Sequence, residues 1–350
     1  MQALTRGERI MLAALVVATA LAAVTRYANV SEVLAFAVSG TALAGLAWLV
    51  SFGTEQVGGR LGPAATGMLQ STLGNLPEFF VVIFALSKGE TVVAQTSLIG
   101  SVLANALLVL GLVIVVGARQ ERDGVMRFGT GLPRDTATLL LLASSIIVIL
   151  GLSLASGDKA SHHVKTISSL GAGCILAVYV AWAIPYVRSG GGDVQAESRV
   201  SLPLAATLLA VAGVGAAFVS DWFISALDPA IKSLGISKAF AGLVIVAIAG
   251  NAAENATGLV LARKRQSDLA ISVVKNSVAQ VAAFLFPALV LVSLAFATPL
   301  TFVLAPVYIG AIILTAIVVA QVTGDGEATA FEGWALVAVY AIIAIVTLYE

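Results

Sequence analysis

The sequence predicts an all-α membrane protein with 11 transmembrane helices: one extra N-terminal helix plus two inverted five-helix repeats. Composition is the first reason, because 59% of the 350 residues are apolar and only 11% are charged, whereas soluble proteins average roughly 25% charged residues. The second reason is a series of long apolar runs, and the third is an internal repeat. Mean hydropathy is +1.02, so we expect the lipid bilayer to surround most of the chain.

The apolar runs set the limits of the predicted spans, each long enough to cross the hydrocarbon core as a helix. They are 8–25, 31–52, 63–87, 92–117, 136–156, 167–187, 200–226, 237–262, 268–294, 299–321 and 329–349. The first run shares basic residues and an A-x-A pattern with signal peptides, but we interpret it as a membrane helix. The predicted domains are an N-terminal helix (1–26), a first repeat (31–187), a flexible glycine-rich linker (188–199) and a second repeat (200–350).

Lysine and arginine residues are divided unequally between the two sets of predicted loops. Twelve of the nineteen fall on the side of the N-terminus and six on the other side, while Lys275 lies inside a predicted span. Because cytoplasmic loops are enriched in these residues, we expect the N-terminus in the cytoplasm and the C-terminus outside. The loops are short and the net charge is zero, so we expect a prokaryotic plasma membrane protein with no nucleic-acid partner.

The stretch GNLPEFF at 74–80 has a second copy, GNAAENA, at 250–256. One offset of 176 residues relates four pairs of identical residues: Gly74 and Gly250, Asn75 and Asn251, Glu78 and Glu254, and Ser101 and Ser277. The repeat unit then holds five helices, and an odd number of spans reverses the orientation of the second copy. Inverted repeats of this kind place a substrate site near the membrane midplane, where the halves meet.

Glu78 and Glu254 are carboxylates at the centre of predicted spans, where each costs about 2.5–3.5 kcal/mol to insert. Such residues are usually functional, although one alone could serve a hydrogen bond between helices. Two amides and two hydroxyls from the repeat complete an all-oxygen set: Asn75, Asn251, Ser101 and Ser277. Oxygen ligands suit hard cations such as Ca²⁺ and disfavour Zn²⁺ or Cu⁺, so we expect the two glutamates to be the metal ligands.

Pro77 is expected to break its helix, because proline lacks a backbone N–H and clashes with the carbonyl one turn earlier. The carbonyls of Leu73 and Gly74 would then face an ion, since unpaired backbone is tolerated in a membrane where it lines a cavity. The second copy has Ala253 in place of proline. Gly250 would have to supply the break there, and we expect a milder kink.

Two close carboxylates can hold either a divalent cation or protons, because repulsion between like charges favours protonation. The empty site would carry two negative charges, whereas one Ca²⁺ or two protons would neutralise it. Only the loaded forms should cross cheaply, and this enforces antiport. A channel fits poorly with such a site. A membrane enzyme lacks a recognisable catalytic set, since no H-E-x-x-H motif occurs, no histidine lies in a span, and neither Asp221 nor Asp228 has an evident partner.

Segments 74–111 and 250–287 closely resemble the two signature regions of CAX-type cation/proton exchangers, in the calcium/cation antiporter superfamily, and 54–75 fits the family's approach to the first. The resemblance implies a secondary active Ca²⁺/H⁺ antiporter that needs no cofactor, with Glu78 and Glu254 as its alternating-access site. It further implies that the second and seventh predicted helices slide against a core. The residues that match motif positions near the site are Asn75, Asn251, Ser101, Gln280 and Asn105.

The chain also departs from the family pattern. Asn255 and Asn276 stand where the family usually has histidine and glycine, and Val281 lacks the carboxylate that sodium-coupled relatives tend to carry, which favours proton coupling. Lys275 occupies an apolar position whose repeat mate is Ile99. It could be a snorkelling or ion-paired lysine outside the cavity. Alternatively, it could offset one carboxylate, and the protein would then be a Na⁺ or K⁺/H⁺ antiporter.

Overall fold

The computed structural model describes residues 4–28, 30–58, 69, 72–188 and 199–350. Twelve main helices and two short strands follow one another along this part of the chain. The helices are α1 (Arg6–Tyr27), α2 (Glu32–Gly58), α3 (Leu76–Ser87), α4 (Thr91–Ala118), α5 (Gly131–Ser156), α6 (Val164–Arg188), α7 (Leu202–Leu234), α8 (Lys238–Gly250), α9 (Ala252–Arg263), α10 (Ser267–Ala295), α11 (Pro306–Thr323) and α12 (Ala330–Leu348). The strands are β1 (Val125–Arg127) and β2 (Glu327–Thr329).

Nine of the described helices are long and apolar enough to cross a membrane, and α8 with α9 forms a tenth, broken span. These ten correspond to ten of the eleven predicted spans. The remaining predicted span, 63–87, is represented by the 12-residue helix α3, because residues 63–68, 70 and 71 lie outside the described part. The predicted linker falls almost wholly outside it as well. The described chain is therefore an all-α membrane fold, and the count of eleven stays a prediction.

Two predicted boundaries differ most from the structure: α7 ends at Leu234 and not at 226, and α11 begins at Pro306 and not at 299. Proline is favoured in the first turn of a helix, where its missing N–H is not needed, and it blocks continuation of a helix from the N-terminal side. The segment before it is irregular but packed, since Leu300 and Phe302 are buried. Its backbone is partly satisfied by a side chain of another helix, because Gln95 Nε2 donates to Val303 O at 3.0 Å.

The two strands were not predicted from the sequence. β1 pairs antiparallel with β2, with Met126 opposite Ala328. Arg127 adds two ion pairs, with Glu327 at 3.2 Å and with Asp123 at 2.8 Å. The strands therefore join the loop after α4 to the loop before α12, at one face of the molecule that we call the hairpin face.

The opposite face carries the short connections at 88–90, 157–163 and 235–237, and we call it the Lys88 face. At this face Ser237 Oγ donates to Thr347 O at 2.5 Å. We expected it to be the outer side of the membrane, and this orientation stays a prediction.

Helices α1, α2 and α7 pack chiefly against one another and form a group beside the other helices. Phe36 of α2 stacks on Phe223 of α7, with ring centroids 4.6 Å apart. Glycines allow this closeness: a Cβ on Gly40 would lie 3.2 Å from the Phe223 ring, and one on Gly53 would lie 2.8 Å from Leu209 Cγ. Beyond the group, α7 contacts α3 and α2 contacts α9, so both moving-helix candidates touch a helix that carries a glutamate.

Candidate cation site

Both copies of the GNxxE motif interrupt a helix at the asparagine. Asn75 has φ −83° and ψ 4°, and Asn251 has φ −97° and ψ 9°, so the backbone of both residues leaves the helical conformation. Glu78 and Glu254 lie in the first turn of α3 and α9, which begin after these asparagines. Each carboxylate is therefore placed at a helix N-terminus, where backbone N–H groups and the helix dipole favour negative charge.

The break in the second copy is large, since α8 and α9 meet at 61°. The kink was expected to be milder than that of the first copy, and this stays a prediction because the matching angle in the first copy falls outside the described residues. Pro77 lies in the first turn of α3, where proline is well tolerated, so it follows the break at Asn75 instead of causing it inside a helix. The shared Gly-Asn pair is the feature common to both breaks.

The two glutamates cross between the copies. A Cβ on Gly74 would lie 2.8 Å from Glu254 Oε1, and a Cβ on Gly250 would lie 2.8 Å from Glu78 Cγ. Each glutamate thus rests against the glycine of the other motif. The motif glycines provide the space in which the two carboxylates approach the centre of the molecule.

A hydrogen-bond network holds Glu78 in place from α4 and from the break between α8 and α9. Ser101 Oγ and Asn251 Nδ2 both donate to Glu78 Oε1. Asn251 Nδ2 also donates to Ser101 Oγ at 3.0 Å and to Ala247 O at 2.8 Å. Because both Ser101 and Asn251 donate to Oε1, the second oxygen of Glu78 is left for another partner.

Asn105 connects this network to the second copy. Its Nδ2 donates to Asn251 Oδ1 at 3.0 Å and to Ser277 Oγ at 3.1 Å, and Ser277 in turn interacts with the Glu254 carboxylate. Asn105 lies in a π-helical turn of α4 at 104–109, and α10 has a π-helical turn at 281–285. These turns correspond under the 176-residue offset to within one residue, and π-turns are frequent at functional sites.

All the predicted oxygen ligands are buried, with between 1% and 9% of each side chain exposed. Three of their oxygens have no hydrogen-bond partner within the described chain, namely Glu78 Oε2, Glu254 Oε2 and Asn105 Oδ1. Buried acceptors are nearly always paired in folded proteins, and acceptors that lack donors are what a cation requires. The amide oxygen of Asn251 is already bonded to Asn105, so Asn105 is better placed than Asn251 to offer its oxygen.

The remaining predicted residues surround this centre. Asn75 is buried at the helix break, with 3% of its side chain exposed. Gln280 is buried at the end of the α-helical part of α10 and interacts with Tyr179 of α6. Asn255 Oδ1 is a further buried acceptor, which the sequence marked only as a departure from a family pattern. Within the described ranges, no three His, Cys, Asp or Glu side chains come together as a metal cluster.

Lys275 is buried away from water but is not paired with a carboxylate. Its side chain is 1% exposed, its Nζ donates to Thr323 Oγ1 at 3.0 Å, and its carbonyl accepts from Thr136 Oγ1 at 3.3 Å. It forms no ion pair in the part of the chain that the structure describes. The lysine therefore does not snorkel in this conformation. It belongs to α10, and its hydrogen-bond partners lie on α5 and α11.

Known proteins similar to this chain are transporters of calcium and other cations. The family model described as sodium/calcium exchanger protein matches residues 31–185 and 204–349. A vacuolar calcium ion transporter of Schizosaccharomyces pombe is 31% identical over 327 residues, covering 90% of this chain and 79% of that protein. A Ca²⁺/H⁺ antiporter of Synechocystis sp. is 29% identical over 338 residues, covering 90% of each chain. A crystal structure of the Ca²⁺/H⁺ antiporter protein YfkE superposes with a TM-score of 0.82 at 27% identity, covering 98% of this chain and 100% of the other.

Proposed function

The chain belongs to the sodium/calcium exchanger protein family, and from this premise we propose that it is a secondary active antiporter, not an enzyme, that exchanges Ca²⁺ for H⁺ across the membrane. The proposed site consists of Glu78 and Glu254, which alternate in access between the two faces. One observation carries the proposal: two buried carboxylates from related helix breaks meet at the glycines of each other's motif, and each keeps one oxygen without a donor.

The residues divide into ligands and supports. Glu78 Oε2, Glu254 Oε2 and Asn105 Oδ1 offer oxygen to Ca²⁺, which prefers carboxylates and amide carbonyls. Ser101 and Asn251 orient Glu78 by donating to its other oxygen. Gly74, Gly250, Asn75, Ser277 and Gln280 complete the site by space or by hydrogen bonding.

Charge explains why the transport is an exchange. Two ionised carboxylates in a buried site are costly unless a cation or protons neutralise them. One Ca²⁺ or two protons give the same neutral total, so the site can change access with either cargo but not when empty. Each Ca²⁺ carried one way is then matched by protons carried the other way.

We also propose the layout in which this occurs: eleven spans, with an N-terminal helix at 1–26, a linker at 188–199 and inverted repeats at 31–187 and 200–350. The matching helix breaks at Asn75 and Asn251 and the matching π-turns of α4 and α10 support it. The excess of Lys and Arg on the hairpin face supports a cytoplasmic N-terminus.

The alternative substrate, Na⁺ or K⁺, requires Lys275 to offset one carboxylate. The lysine Nζ instead donates to Thr323, so the site keeps both negative charges and we retain Ca²⁺.

The test is ion uptake into vesicles that contain the purified protein, under an imposed pH gradient, with Ca²⁺, Na⁺ and K⁺ followed in parallel. We expect proton-driven Ca²⁺ uptake in the parent, and a fall to background in Glu254→Gln, because the amide loses the charge and presents a donor to the ion. Glu327→Gln, at an exposed glutamate of the hairpin face, is the matched control and should transport normally. Uptake of only Na⁺ or K⁺ would overturn the substrate, and no ion movement at all would overturn the antiporter.

A further inference from the structure

Three polar residues of α7 lie on one side of its end at the Lys88 face. Asp221, Ser225 and Asp228 are spaced by four and three residues, which places them on the same side of a helix. Lys88, at the end of α3, donates to Asp221 Oδ1 and to Ser225 Oγ, both at 2.6 Å. These partners were not predicted from the sequence.

Lys238, at the start of α8, makes the second connection. Its Nζ lies 2.8 Å from Asp228 Oδ1 and 2.7 Å from Glu90 Oε2, where Glu90 directly precedes α4. We call the six residues the polar latch: Lys88, Glu90, Asp221, Ser225, Asp228 and Lys238. The latch joins α7 to three core helices, and its charged side chains are between 19% and 39% exposed.

The other end of α7 is tied differently. Arg199, just before α7, pairs with Glu8 of α1 at 2.5 Å, and its backbone N–H donates to Gln56 Oε1 of α2 at 2.8 Å. Both contacts stay within the group formed by α1, α2 and α7. Among the described residues, the ion pairs that connect this group to the other helices are therefore those of the latch.

The inverted repeat has no second latch. Subtracting or adding the 176-residue offset gives the mates of the six latch residues, which are Lys264, Gln266, Gly45, Leu49, Phe52 and Gly62. Only Lys264 carries a charge. Leu49 and Phe52 are buried apolar residues of α2, so these positions form no ionic contact on the hairpin face.

We propose that the polar latch holds the Lys88 face closed and biases the exchanger toward the conformation that opens at the hairpin face. This inference rests on the alternating access proposed above. Opening the Lys88 face by moving α1, α2 and α7 requires the contacts of Lys88 and Lys238 with α7 to break. Because the mates on α2 carry no charge, they offer the opposite conformation no matching ionic contact, and the two conformations are unequal in free energy. A single exposed pair would give little bias, but two ion pairs on α7 and the hydrogen bond from Lys88 to Ser225 together give a measurable one.

Thiol labelling from the Lys88 face tests this bias without relying on transport. Ile224 of α7 is 3% exposed and lies on the same side of the helix as Asp221 and Asp228, three residues after the first and four before the second. Cys174 is the sole cysteine, so Ile224→Cys in a Cys174→Ser background gives one reporter. A membrane-impermeant maleimide is added to vesicles, and the rate of modification is measured in protein that exposes the Lys88 face.

We expect Lys88→Gln and Asp228→Asn each to raise the labelling rate about three- to tenfold. Lys232→Gln is the matched control, because Lys232 pairs with Asp228 within the same helix and its loss should leave the rate unchanged. Exchanging the charges with Lys88→Asp and Asp221→Lys together should return the rate toward that of the parent.

Equal labelling in the parent and both single variants would overturn the latch, and so would fast labelling that the charge exchange does not reverse. Calcium uptake is measured on the same vesicles. A parent that labels slowly and responds to the latch variants but moves no Ca²⁺ would refute the proposed function while supporting the latch.

Discussion

Gly74 and Gly250 are the residues at which the site has least room. A methyl group at Gly74 would come within 2.8 Å of Glu254 Oε1, and one at Gly250 within 2.8 Å of Glu78 Cγ. We expect Gly74→Ala and Gly250→Ala to lower Ca²⁺ uptake at least tenfold, because a carboxylate displaced by about 1 Å no longer fits the ion. Initial uptake rates in vesicles measure this effect.

Gly173 provides the control for the glycine substitutions. It lies within α6, and a Cβ there would meet nothing within 4 Å. Gly173→Ala should therefore transport normally and fold at least as well as the parent, since alanine favours helix. Normal uptake in Gly74→Ala would mean that the crossed contact is not part of the transport site.

Lys275 leads to a prediction about stability. Its ammonium is buried with one hydroxyl partner and no carboxylate, and a buried charge without a paired charge is costly. Lys275→Met keeps the length of the side chain, and Thr323 Oγ1 still donates to Val319 O. We expect the variant to be more stable by about 1 kcal/mol or more and to retain Ca²⁺ uptake, as judged by thermal unfolding in detergent and by vesicle flux.

The control for this change is Lys165→Met, at an exposed lysine in α6, which should leave the unfolding temperature unchanged. Loss of Ca²⁺ uptake in Lys275→Met would show that the lysine belongs to the transport site. A change in the transported ion of Lys275→Met from Ca²⁺ to a monovalent cation would lead to the same conclusion.

The sequence identified the residue types that supply oxygen at the site, but it could not show which of these oxygens are available to a cation. Repetition at a fixed offset identified Glu78, Glu254 and the serines, because identical residues at two places in an apolar chain are unusual. It could not decide between Asn105 and Asn251, since the choice depends on which amide oxygen is already bonded. Only the packing of α4 against α8 settles that Asn251 accepts from Asn105.

At the scale of elements, the ion pair between Asp123 and Arg127, next to and within β1, depends on pH. Arg127 bonds the Asp123 carboxylate at 2.8 Å and holds the pKa of that carboxyl below its usual value. A lowered pKa means that the contribution to stability is present above the ordinary pKa of about 4 and is lost as the pH falls through the lowered value. The difference in unfolding temperature between the parent and Asp123→Asn should therefore be present at pH 6 and vanish near pH 3.

Glu121→Gln serves as the control for this pH dependence, because Glu121 lies in the same loop and takes part in no ion pair of the described chain. A difference that grows toward low pH for Asp123→Asn would contradict the assignment.

Elements that depend on local pattern were predictable, and those that depend on distant partners were not. The long helices follow from apolar runs, and ten predicted spans have matching helices. The strands have three residues each and lie in loops about 200 residues apart. The triplets VMR and EAT contain no pattern that predicts their pairing. The first helix break was assigned to Pro77 and the second to Gly250. Both helices are interrupted at the asparagine that follows the shared glycine, so the Gly-Asn pair was a better predictor than the proline.

At the scale of the whole molecule, the repeat predicted a symmetric site but not the asymmetry around it. Asp221 and Asp228 have no visible partner in the sequence, because Lys88 and Lys238 come from helices packed beside α7 in space. Comparing these four residues with their mates at the 176-residue offset becomes informative only once their contacts are known from the structure. The matching residues of the two halves were thus readable from the chain, and the contacts behind the proposed bias between the two faces required the structure.

The crossed contact has a consequence for the history of the two halves. Gly74 and Glu254 are 180 residues apart in the chain, yet they share one point of contact, as Gly250 does with Glu78. A substitution at either glycine therefore affects the glutamate of the other half, so the two copies cannot diverge independently at these positions. The copies differ elsewhere, since the mate of Pro77 is Ala253 and the mate of Ile99 is Lys275. The glycine, asparagine and glutamate of the motif are the same in both copies.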